Sequence, residues 1–367
     1  MARAGLGDEW ECLFANDFDP LKAKTYRENW GADHFVEEDV WKLRPTDLPG
    51  TPDLVWASSP CQDFSLAGGR AGLKGGRSSA FWGMWELIEG LGNTRSPRVI
   101  VIENVVGLLS SHGGADFTAL CKALADRQYQ FGAVEIDASY FLPQSRPRVF
   151  IIAARRPPKG TIASEVTALH SKAVRHAFGQ LPDELAEQWV WWRLPPPPTR
   201  NNSLLEFIEP DDKVSWHSSE KMNNILHLMS PLNKLKVANA KQSGNRVIGT
   251  VFRRMRVENG KKVQRAEVRF DGTAGCLRTP RGGSSRQILM VVDGDDVRTR
   301  TMSTLESARL MGFQDYKLPK AQIAALHVLG DGVAVPVVNW LRRELLEKLI
   351  SGETAVGKEE ARRRARA

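Results

Sequence analysis

The chain has 367 residues, 42% of them hydrophobic and 26% charged, and is long enough for one large domain or two ordinary ones. This composition is typical of a globular protein and excludes a largely disordered or collagen-like chain. Lysine and arginine together number 51 against 43 acidic residues, and the resulting net charge of +8 suits a polyanionic partner without requiring one.

The sequence contains no run of 18 apolar residues and no N-terminal apolar segment typical of a signal peptide. Its best candidate for a spanning segment, residues 99–109, is interrupted by Glu103 and Asn104. The cysteines are Cys12, Cys61, Cys121 and Cys276. Their wide spacing indicates neither a disulfide framework nor a zinc site, and we expect a protein of the reducing cytoplasm.

The first 155 residues predict alternating strands and helices. Strands are expected at 11–16, 53–58, 98–102 and 149–153, and helices at 20–30, 79–91 and 117–126. The run 98–102 (RVIVI) is almost continuously β-branched, as expected for a strand covered on both faces. Strands separated by helices of this length indicate βαβ units, so we predict an α/β fold with a doubly wound, mainly parallel sheet.

The pattern changes after residue 155. The tryptophan-rich run 189–194 leads into four prolines at 195–198 and predicts a stiff connector. Residues 234–286 are rich in Lys, Arg, Gly and Asn and predict a smaller, strand-rich domain. Strand-like runs and helical patterns follow at 247–252, 266–270, 304–311 and 336–350.

Two segments with reactive side chains follow predicted strands of the first part of the chain. Pro60-Cys61-Gln62 follows the strand 53–58, and Glu103-Asn104-Val105 follows the strand 98–102. Ligand sites of open α/β sheets lie beyond the carboxyl ends of the strands, so both segments are expected at one rim. A lone cysteine is more often a small buried hydrophobe, as we assign Cys12, Cys121 and Cys276, but the context of Cys61 favours a nucleophile.

Charged side chains near this rim have a functional and an ordinary interpretation. Glu103 ends an apolar run, where a carboxylate is costly to bury unless it is paired, although it could also be a solvated strand-ending acid. Arg146 and Arg148 are two residues apart and could clamp an anion or neutralise Glu103. By itself, such a pair of arginines is an ordinary basic turn.

In this order, the segments resemble the DNA (cytosine-5) methyltransferases of bacteria and phages. The run 59–65 (SPCQDFS) is similar to the family's PCQ loop, 103–105 to its ENV segment, and 144–148 (QSRPR) to its QxRxR segment. The runs 303–313 and 330–338 are similar to its late helix and its final motif. The resemblance therefore covers nearly the whole chain.

The resemblance implies the S-adenosyl-L-methionine-dependent methyltransferase fold and methyl transfer to carbon 5 of a cytosine flipped out of duplex DNA. Cys61 would add to carbon 6 of the base, and Glu103 would hydrogen-bond or protonate ring N3. Arg148 would hold the exocyclic oxygen. Arg146 would position Glu103 and the phosphates of the DNA backbone.

The resemblance also implies contacts with cofactor and DNA. The residues expected to bind S-adenosyl-L-methionine are Asp17 at the ribose, Phe18 beside the adenine, Asp39 and Val40 at the adenine edge, and Pro60. The residues expected to contact DNA are Gln62, Ser65, Gln144, Arg278, Arg281 and Arg286. The basic residues between 253 and 262 favour a surface laid on the phosphate backbone, the alternative being solvated loop charges.

By the same resemblance, residues 1–156 form the catalytic domain, 157–300 the target recognition domain, 301–350 a return to the catalytic domain and 351–367 a charged tail. Double-stranded DNA is the expected partner of a monomer associated with the nucleoid in the cytoplasm, with no membrane contact. A cognate restriction endonuclease and a separate N-terminal fragment are further candidate partners.

The sequence departs from the family at its N-terminus and at Asp331, where the family usually has asparagine. Residues 1–7 align with the helix that follows the family's first strand and FxGxGG loop, so that strand and loop are absent and weak cofactor binding is expected. Three interpretations are open: a start codon further upstream, a separate polypeptide that supplies the piece, or an inactive DNA-binding remnant. An RNA cytosine methyltransferase of the same fold is another alternative, although the long recognition region favours DNA.

Overall fold

The computed structural model describes residues 1–59, 80–258, 260–279 and 286–352. The chain divides into two compact units. The first unit contains residues 2–137, 147–196 and 337–367, and the second contains Met1, 138–146 and 197–336. These units are described separately below, and the predicted functional boundaries at residues 156 and 300 stay predictions.

The described residues of the first unit form six strands in two sheets. They are β1 (Ala15–Asn16), β2 (Phe35–Val36), β3 (Leu54–Ala57), β4 (Val99–Asn104), β5 (Gln130–Asp137) and β6 (Pro147–Ala154). β1 and β2 pair in parallel, and the other four form a sheet in the order β3-β4-β6-β5. β3 and β4 are parallel, whereas β6 is antiparallel to both of its neighbours. The described sheet is therefore mixed.

The connections between strands explain this mixture. A parallel pair needs a long crossover, and β3 and β4 are separated by more than forty residues that include the helix α3 (Ala80–Gly90). β5 and β6 are joined by residues 138–146 alone, and so short a connection favours antiparallel pairing. Every residue of β4 is buried, as predicted for a strand covered on both faces.

The described part of the first unit also contains helices. In addition to α3 they are α1 (Ala2–Leu6), α2 (Pro20–Trp30), α4 (Ala115–Asp126), α5 (Lys172–Phe178) and α6 (Asp183–Ala186). The predicted bounds of α2 are correct because its ends carry strong signals. The Asp19 side chain accepts hydrogen bonds from the first turn, Pro20 occupies the first helical position, and Gly31 ends the helix with a φ of 82°.

The tryptophan-rich run 189–194 also pairs with a strand of the first unit. Trp189 bridges to Phe131 of β5, and the Val190 N–H donates to the Phe131 carbonyl at 2.8 Å. Val190 passes so close to Gly132 that a Cβ there would lie 2.0 Å from the Val190 carbonyl oxygen. The run therefore covers the outer edge of β5, a role that the prediction of a stiff connector does not include.

Where the structure describes it, the second unit contains an antiparallel sheet and four α-helices. The strands are β7 (Val247–Glu258), β8 (Lys261–Arg269), β9 (Ile288–Asp293) and β10 (Asp296–Thr301), in the order β10-β9-β7-β8. The helices are α7 (Ser219–His227), α8 (Pro231–Gln242), α9 (Thr304–Arg309) and α10 (Gln322–Gly330). This sheet confirms the predicted strand-rich region, which is separate from the α/β sheet.

The C-terminal helical region is apolar. α11 (Val335–Leu341) continues through a π-helical turn, Arg342–Leu346, to residue 352. By length and composition alone, Gln322–Gly352 could cross a membrane, a stretch that the search for uninterrupted apolar runs does not detect. Many of its apolar residues are buried in the protein, including Leu329, Leu341 and Leu345. Core helices of globular proteins pass the same test, so this stretch is weak support for a membrane span.

His170 in the first unit predicts a pH dependence of stability. Burial, and to a smaller extent the Arg175 charge, lower the pKa of His170 from 6.5 to about 4, and its Nδ1 accepts a hydrogen bond from the Thr167 N–H at 2.8 Å. The folded state therefore favours the neutral ring. The unfolded chain binds the extra proton first, so this contribution is present above pH 6.5 and is lost as the pH falls towards 4.

We expect the free energy of unfolding to decrease between pH 6.5 and 4, with His170 accounting for up to about 3 kcal/mol. Urea titrations at several pH values measure this decrease. His170→Gln should flatten the profile over that range, and an unchanged slope would show that other groups cause it. His227→Gln is the control, because that residue is exposed.

Candidate active site

The residues expected at the cofactor lie at one edge of the first unit. β1 and β2 are parallel with Ala15 opposite Phe35 and Asn16 opposite Val36, so their carboxyl ends meet at the same edge. Asp17 directly follows β1, and Asp39 lies three residues after β2. The Asn16 side chain links the two strand ends by donating to the carbonyls of Val36 and Glu38 at 3.0 and 2.8 Å.

The side chains at this edge suit a nucleoside. Phe18 is 68% exposed, an unusual position for a large apolar ring that a flat base would cover. Asp17 Oδ1 accepts a hydrogen bond from the Asp19 N–H at 3.0 Å, which orients its carboxylate. Asp39 caps a 3-10 turn by accepting from the Trp41 N–H at 3.1 Å. Thus Asp17, Phe18, Asp39 and Val40 are brought to one edge, while Pro60 lies outside the described residues.

The carboxyl ends of β3 and β4 form the second part of the site. The parallel register places Ala57 opposite Ile102, so the residues after β3 leave the sheet beside Glu103 and Asn104. Asn104 is buried, and its Nδ2 donates to the Ser59 carbonyl at 2.9 Å. Its Oδ1 accepts from the Val105 N–H at 2.8 Å. Ser59 is therefore tied to the end of β4, and Cys61 follows it by two residues, outside the described part of the chain.

Glu103 forms a buried ion pair with Arg148. The antiparallel register of β4 and β6 places Glu103 opposite Phe150, and residues directly opposite share a face of the sheet. Arg148 is two residues from Phe150 and so lies on that same face. Its Nε is 3.1 Å from Glu103 Oε1, and the two side chains are only 14% and 7% exposed.

This ion pair has a structural and a chemical consequence. A buried carboxylate is costly unless it is paired, so Arg148 is what allows Glu103 to stay at the end of an otherwise apolar strand. The guanidinium and the carboxylate together offer hydrogen-bond donors and acceptors within a few ångströms of each other. Such a pair can orient a planar, polar ring and stabilise charge that develops on it.

Arg146 and Gln144 belong to the second unit and are both buried there. Arg146 donates to the carbonyls of Leu277 and Gly330 at 2.8 Å each, to the Gly332 carbonyl and to Cys276 Sγ. Gln144 Oε1 accepts from the Leu277 N–H at 3.2 Å, and its Nε2 donates to the Leu310 carbonyl. These bonds join segments that are distant in the sequence.

These contacts change the interpretation of both side chains. Gln144 has no exposed surface and both ends of its amide are bonded to backbone, so this geometry does not support the expected contact with DNA. Arg146, expected to position Glu103 and phosphates, donates to carbonyl oxygens of its own unit. A motif shows that these residue types are required, but it does not show which buried acceptors they satisfy.

The remaining predicted DNA contacts lie at the edges of the described residues. Arg278 is exposed and Arg286 is half-buried, and between them residues 280–285, which include Arg281, are not described. Gln62 and Ser65 are also outside the described part. The Arg278–Thr279 backbone packs directly on Gly330, where a Cβ would lie 2.4 Å from the Thr279 nitrogen.

Two residues of this region have roles that the sequence analysis missed. Asn104 was noted only as part of a motif, although it ties Ser59 to β4. Cys276 was assigned to packing, but it also accepts a hydrogen bond from Arg146 at 3.3 Å. The position of Asn104 at a strand end, next to a buried acid, is the signal that could have identified it. Cys121 is fully buried, as assigned, and burial raises the pKa of its thiol.

Comparison with known proteins identifies the fold and the family of this chain. The crystal structure of S. pombe Dnmt2 methyltransferase superposes with a TM-score of 0.59 at 18% identity and covers 92% of both chains. That likeness shows a methyltransferase fold. Residues 1–347 match the family described as C-5 cytosine-specific DNA methylase, and the chain belongs to this family.

Proteins related in sequence are named as type II methyltransferases. Type II methyltransferase M.HpaII of Haemophilus parainfluenzae is 26% identical over 95% of this chain and 86% of its own length. Type II methyltransferase M1.ScrFI of Lactococcus lactis subsp. cremoris is 24% identical over 92% of this chain and 72% of its own length. The protein is a DNA cytosine methyltransferase, and its methyl donor is S-adenosyl-L-methionine.

The tie between Asn104 and Ser59 predicts the effect of one substitution. Asn104→Asp turns the donor into an acceptor that faces the Ser59 carbonyl, and we expect a loss of about 1–3 kcal/mol of stability. We also expect methyl transfer to fall at least tenfold, because the segment that carries Cys61 loses its anchor. Circular dichroism and transfer of labelled methyl groups to DNA measure the two effects.

The matched control is Asn29→Asp. Asn29 Nδ2 donates to the Thr25 carbonyl at 2.8 Å, a bond of the same kind within a helix. This variant should lose stability while keeping methyl transfer within a factor of about three at a temperature where both variants are folded. Equal activity of the two variants would show that the tie does not serve catalysis.

Arg146 predicts a large effect on stability. Lysine keeps the charge but cannot donate to several carbonyls from a planar fork, so Arg146→Lys should destabilise the protein by about 2–4 kcal/mol. Urea denaturation measures the change. Arg269→Lys is the control, because Arg269 pairs with Asp271 at the surface and its replacement should change stability by less than about 1 kcal/mol. Equal effects would contradict a special role for Arg146.

Proposed function

We propose that this enzyme methylates carbon 5 of a cytosine in double-stranded DNA through a covalent adduct between Cys61 and carbon 6 of the base. The observation that carries the proposal is the hydrogen bond from Asn104 to the Ser59 carbonyl. It fixes the residue two before Cys61 to the strand end that carries Glu103, and so supports a nucleophile and a buried carboxylate acting on one substrate.

The chemistry follows from the nature of the base. Carbon 5 of cytosine is a weak nucleophile, and addition of the Cys61 thiolate to carbon 6 breaks the 5,6 double bond and moves its electron pair into the ring. Glu103 takes up a proton from solvent as the base binds and then hydrogen-bonds or protonates N3 as charge develops there, and Arg148 holds the exocyclic oxygen. The ion pair between Glu103 and Arg148 keeps both groups oriented before the base arrives.

S-adenosyl-L-methionine supplies the methyl group as an electrophilic carbon on its sulfonium. Carbon 5 would take this methyl group, and the carbon–sulfur bond would break with the thioether as the leaving group. A base then removes the proton from carbon 5, the 5,6 double bond re-forms and Cys61 leaves as a thiolate. Because these atoms are inaccessible inside a duplex, the target cytosine is flipped out, at a cost of a few kcal/mol.

The contacts of cofactor and DNA are part of the proposal. Asp17 binds the ribose hydroxyls, Phe18 covers the adenine, and Asp39, Val40 and Pro60 complete the cofactor site. For DNA we retain Gln62, Ser65, Arg278, Arg281 and Arg286. We do not retain Gln144, because it is fully buried. The enzyme would act as a monomer on the DNA of the nucleoid.

A mechanism-based probe tests this proposal. Duplex DNA with 5-fluorocytosine at varied sites should give a protein–DNA adduct detectable by mass spectrometry, because fluorine at carbon 5 cannot leave as the proton does. We expect Cys61→Ser to abolish the adduct and methyl transfer. Glu103→Gln should keep DNA binding and lower methyl transfer by about 100-fold, a typical loss for removal of one catalytic proton donor.

Three outcomes would count against the proposal. Methyl transfer that survives in Cys61→Ser would exclude the covalent route. Faster methylation of transfer RNA than of duplex DNA would favour the RNA alternative. Absence of any adduct with the wild-type enzyme over randomised duplex sites would overturn the mechanism as a whole.

A further inference from the structure

The β7–β8 hairpin of the second unit is long and its outer half is exposed. At its base, Val251, Ala266 and Val268 are buried in a core with residues of α7 and α8. Further out, Met255 and Val257 are 59% and 71% exposed, although both are apolar. Residue 259, in the turn between the strands, is outside the described residues.

The pairing register separates the side chains of this hairpin into two faces. Val251 is opposite Val268, Arg253 opposite Ala266, Met255 opposite Gln264 and Val257 opposite Lys262. Because opposite residues and every second residue along a strand share a face, these eight residues form one surface, called here the A face. The residues between them form the B face.

The charges are distributed differently over the two faces. The B face carries Glu258 and Glu267, and both are paired: Glu267 with Arg256 and Arg254, and Glu258 with Arg265. The B face therefore has carboxylates among its cations. The A face carries Arg253 and Lys262 but no acidic residue among its eight members.

We infer that the outer part of the A face lies in the major groove of the DNA substrate, with Lys262 at a phosphate and Met255, Val257 and Gln264 towards the base edges. A two-stranded β-ribbon fits the width of this groove, and apolar side chains there can contact thymine methyl groups. A surface without carboxylates that combines cations and exposed apolar groups suits a polyanion with apolar patches. This inference rests on the proposal that duplex DNA is the substrate.

Two valines near the tip allow a matched test. Val257 lies on the A face opposite Lys262, and Val263 lies on the B face opposite Arg256. Val257→Glu and Val263→Glu add the same charge to the same hairpin, so a general electrostatic effect is equal in both. We expect Val257→Glu to weaken duplex binding at least tenfold and Val263→Glu to change it less than threefold, measured by fluorescence anisotropy at fixed salt.

A second variant tests the phosphate contact. Neutralising a lysine at a phosphate lowers the dependence of binding on salt, so Lys262→Gln should reduce the slope of log K against log salt by about one. Thermal unfolding of each variant shows that the second unit stays folded. Equal weakening by both valine variants, or an unchanged slope in Lys262→Gln, would overturn the inference.

The binding readout separates this inference from the proposed mechanism. If wild-type protein forms the 5-fluorocytosine adduct but the two valine variants bind alike, the inference fails and the covalent mechanism stands. If no adduct forms but Val257→Glu alone weakens binding, the hairpin contact stands and the mechanism fails. If the wild-type protein binds no duplex DNA, both fail.

Discussion

The register between β4 and β6 is the constraint on which the site depends. It brings Arg148 onto the face of Glu103 and pairs a buried carboxylate with a buried cation 3.1 Å away. A slip of one residue would turn every side chain of the strand to the other face and leave the carboxylate unpaired. Asn104, the next residue of the same strand, then holds Ser59. One strand end thus supplies both the acid of the site and the anchor of the segment before Cys61.

The second unit uses a buried cation differently. Arg146 donates to backbone carbonyls of segments that lie more than a hundred residues further along the chain. Gln144 bonds to one of the same segments at Leu277 and to a further one at Leu310. Carbonyls in irregular segments have no strand or helix partner, and a buried carbonyl left without a donor is costly. Residues of a motif associated with catalysis therefore also hold loops together.

The sequence predicts some of this arrangement well, for physical reasons. α2 is bounded by strong end signals, and the continuous β-branched run of β4 distinguishes a strand buried on both faces. The order of motifs predicts Glu103 at the end of a strand, and β4 ends with Glu103 and Asn104. Pairing direction and register are not local properties, so the antiparallel position of β6 could not be derived from residue patterns. The residues did offer neutralisation of Glu103 as one alternative for the arginines, and Arg148 is the one that pairs with it. The burial of Gln144 also depends on distant segments, and β5 was missed because its polar and small residues weaken the strand pattern.

The run around Trp189 has a consequence beyond the site. An outer strand with open hydrogen-bonding groups is a template on which another molecule can add a strand, the first step of aggregation. Val190 occupies this position along β5, and Gly132 allows it to approach closely. A side chain at residue 132 would displace this run and expose the unpaired backbone groups of β5. The protein would then be expected to aggregate on mild heating, before its fold is lost.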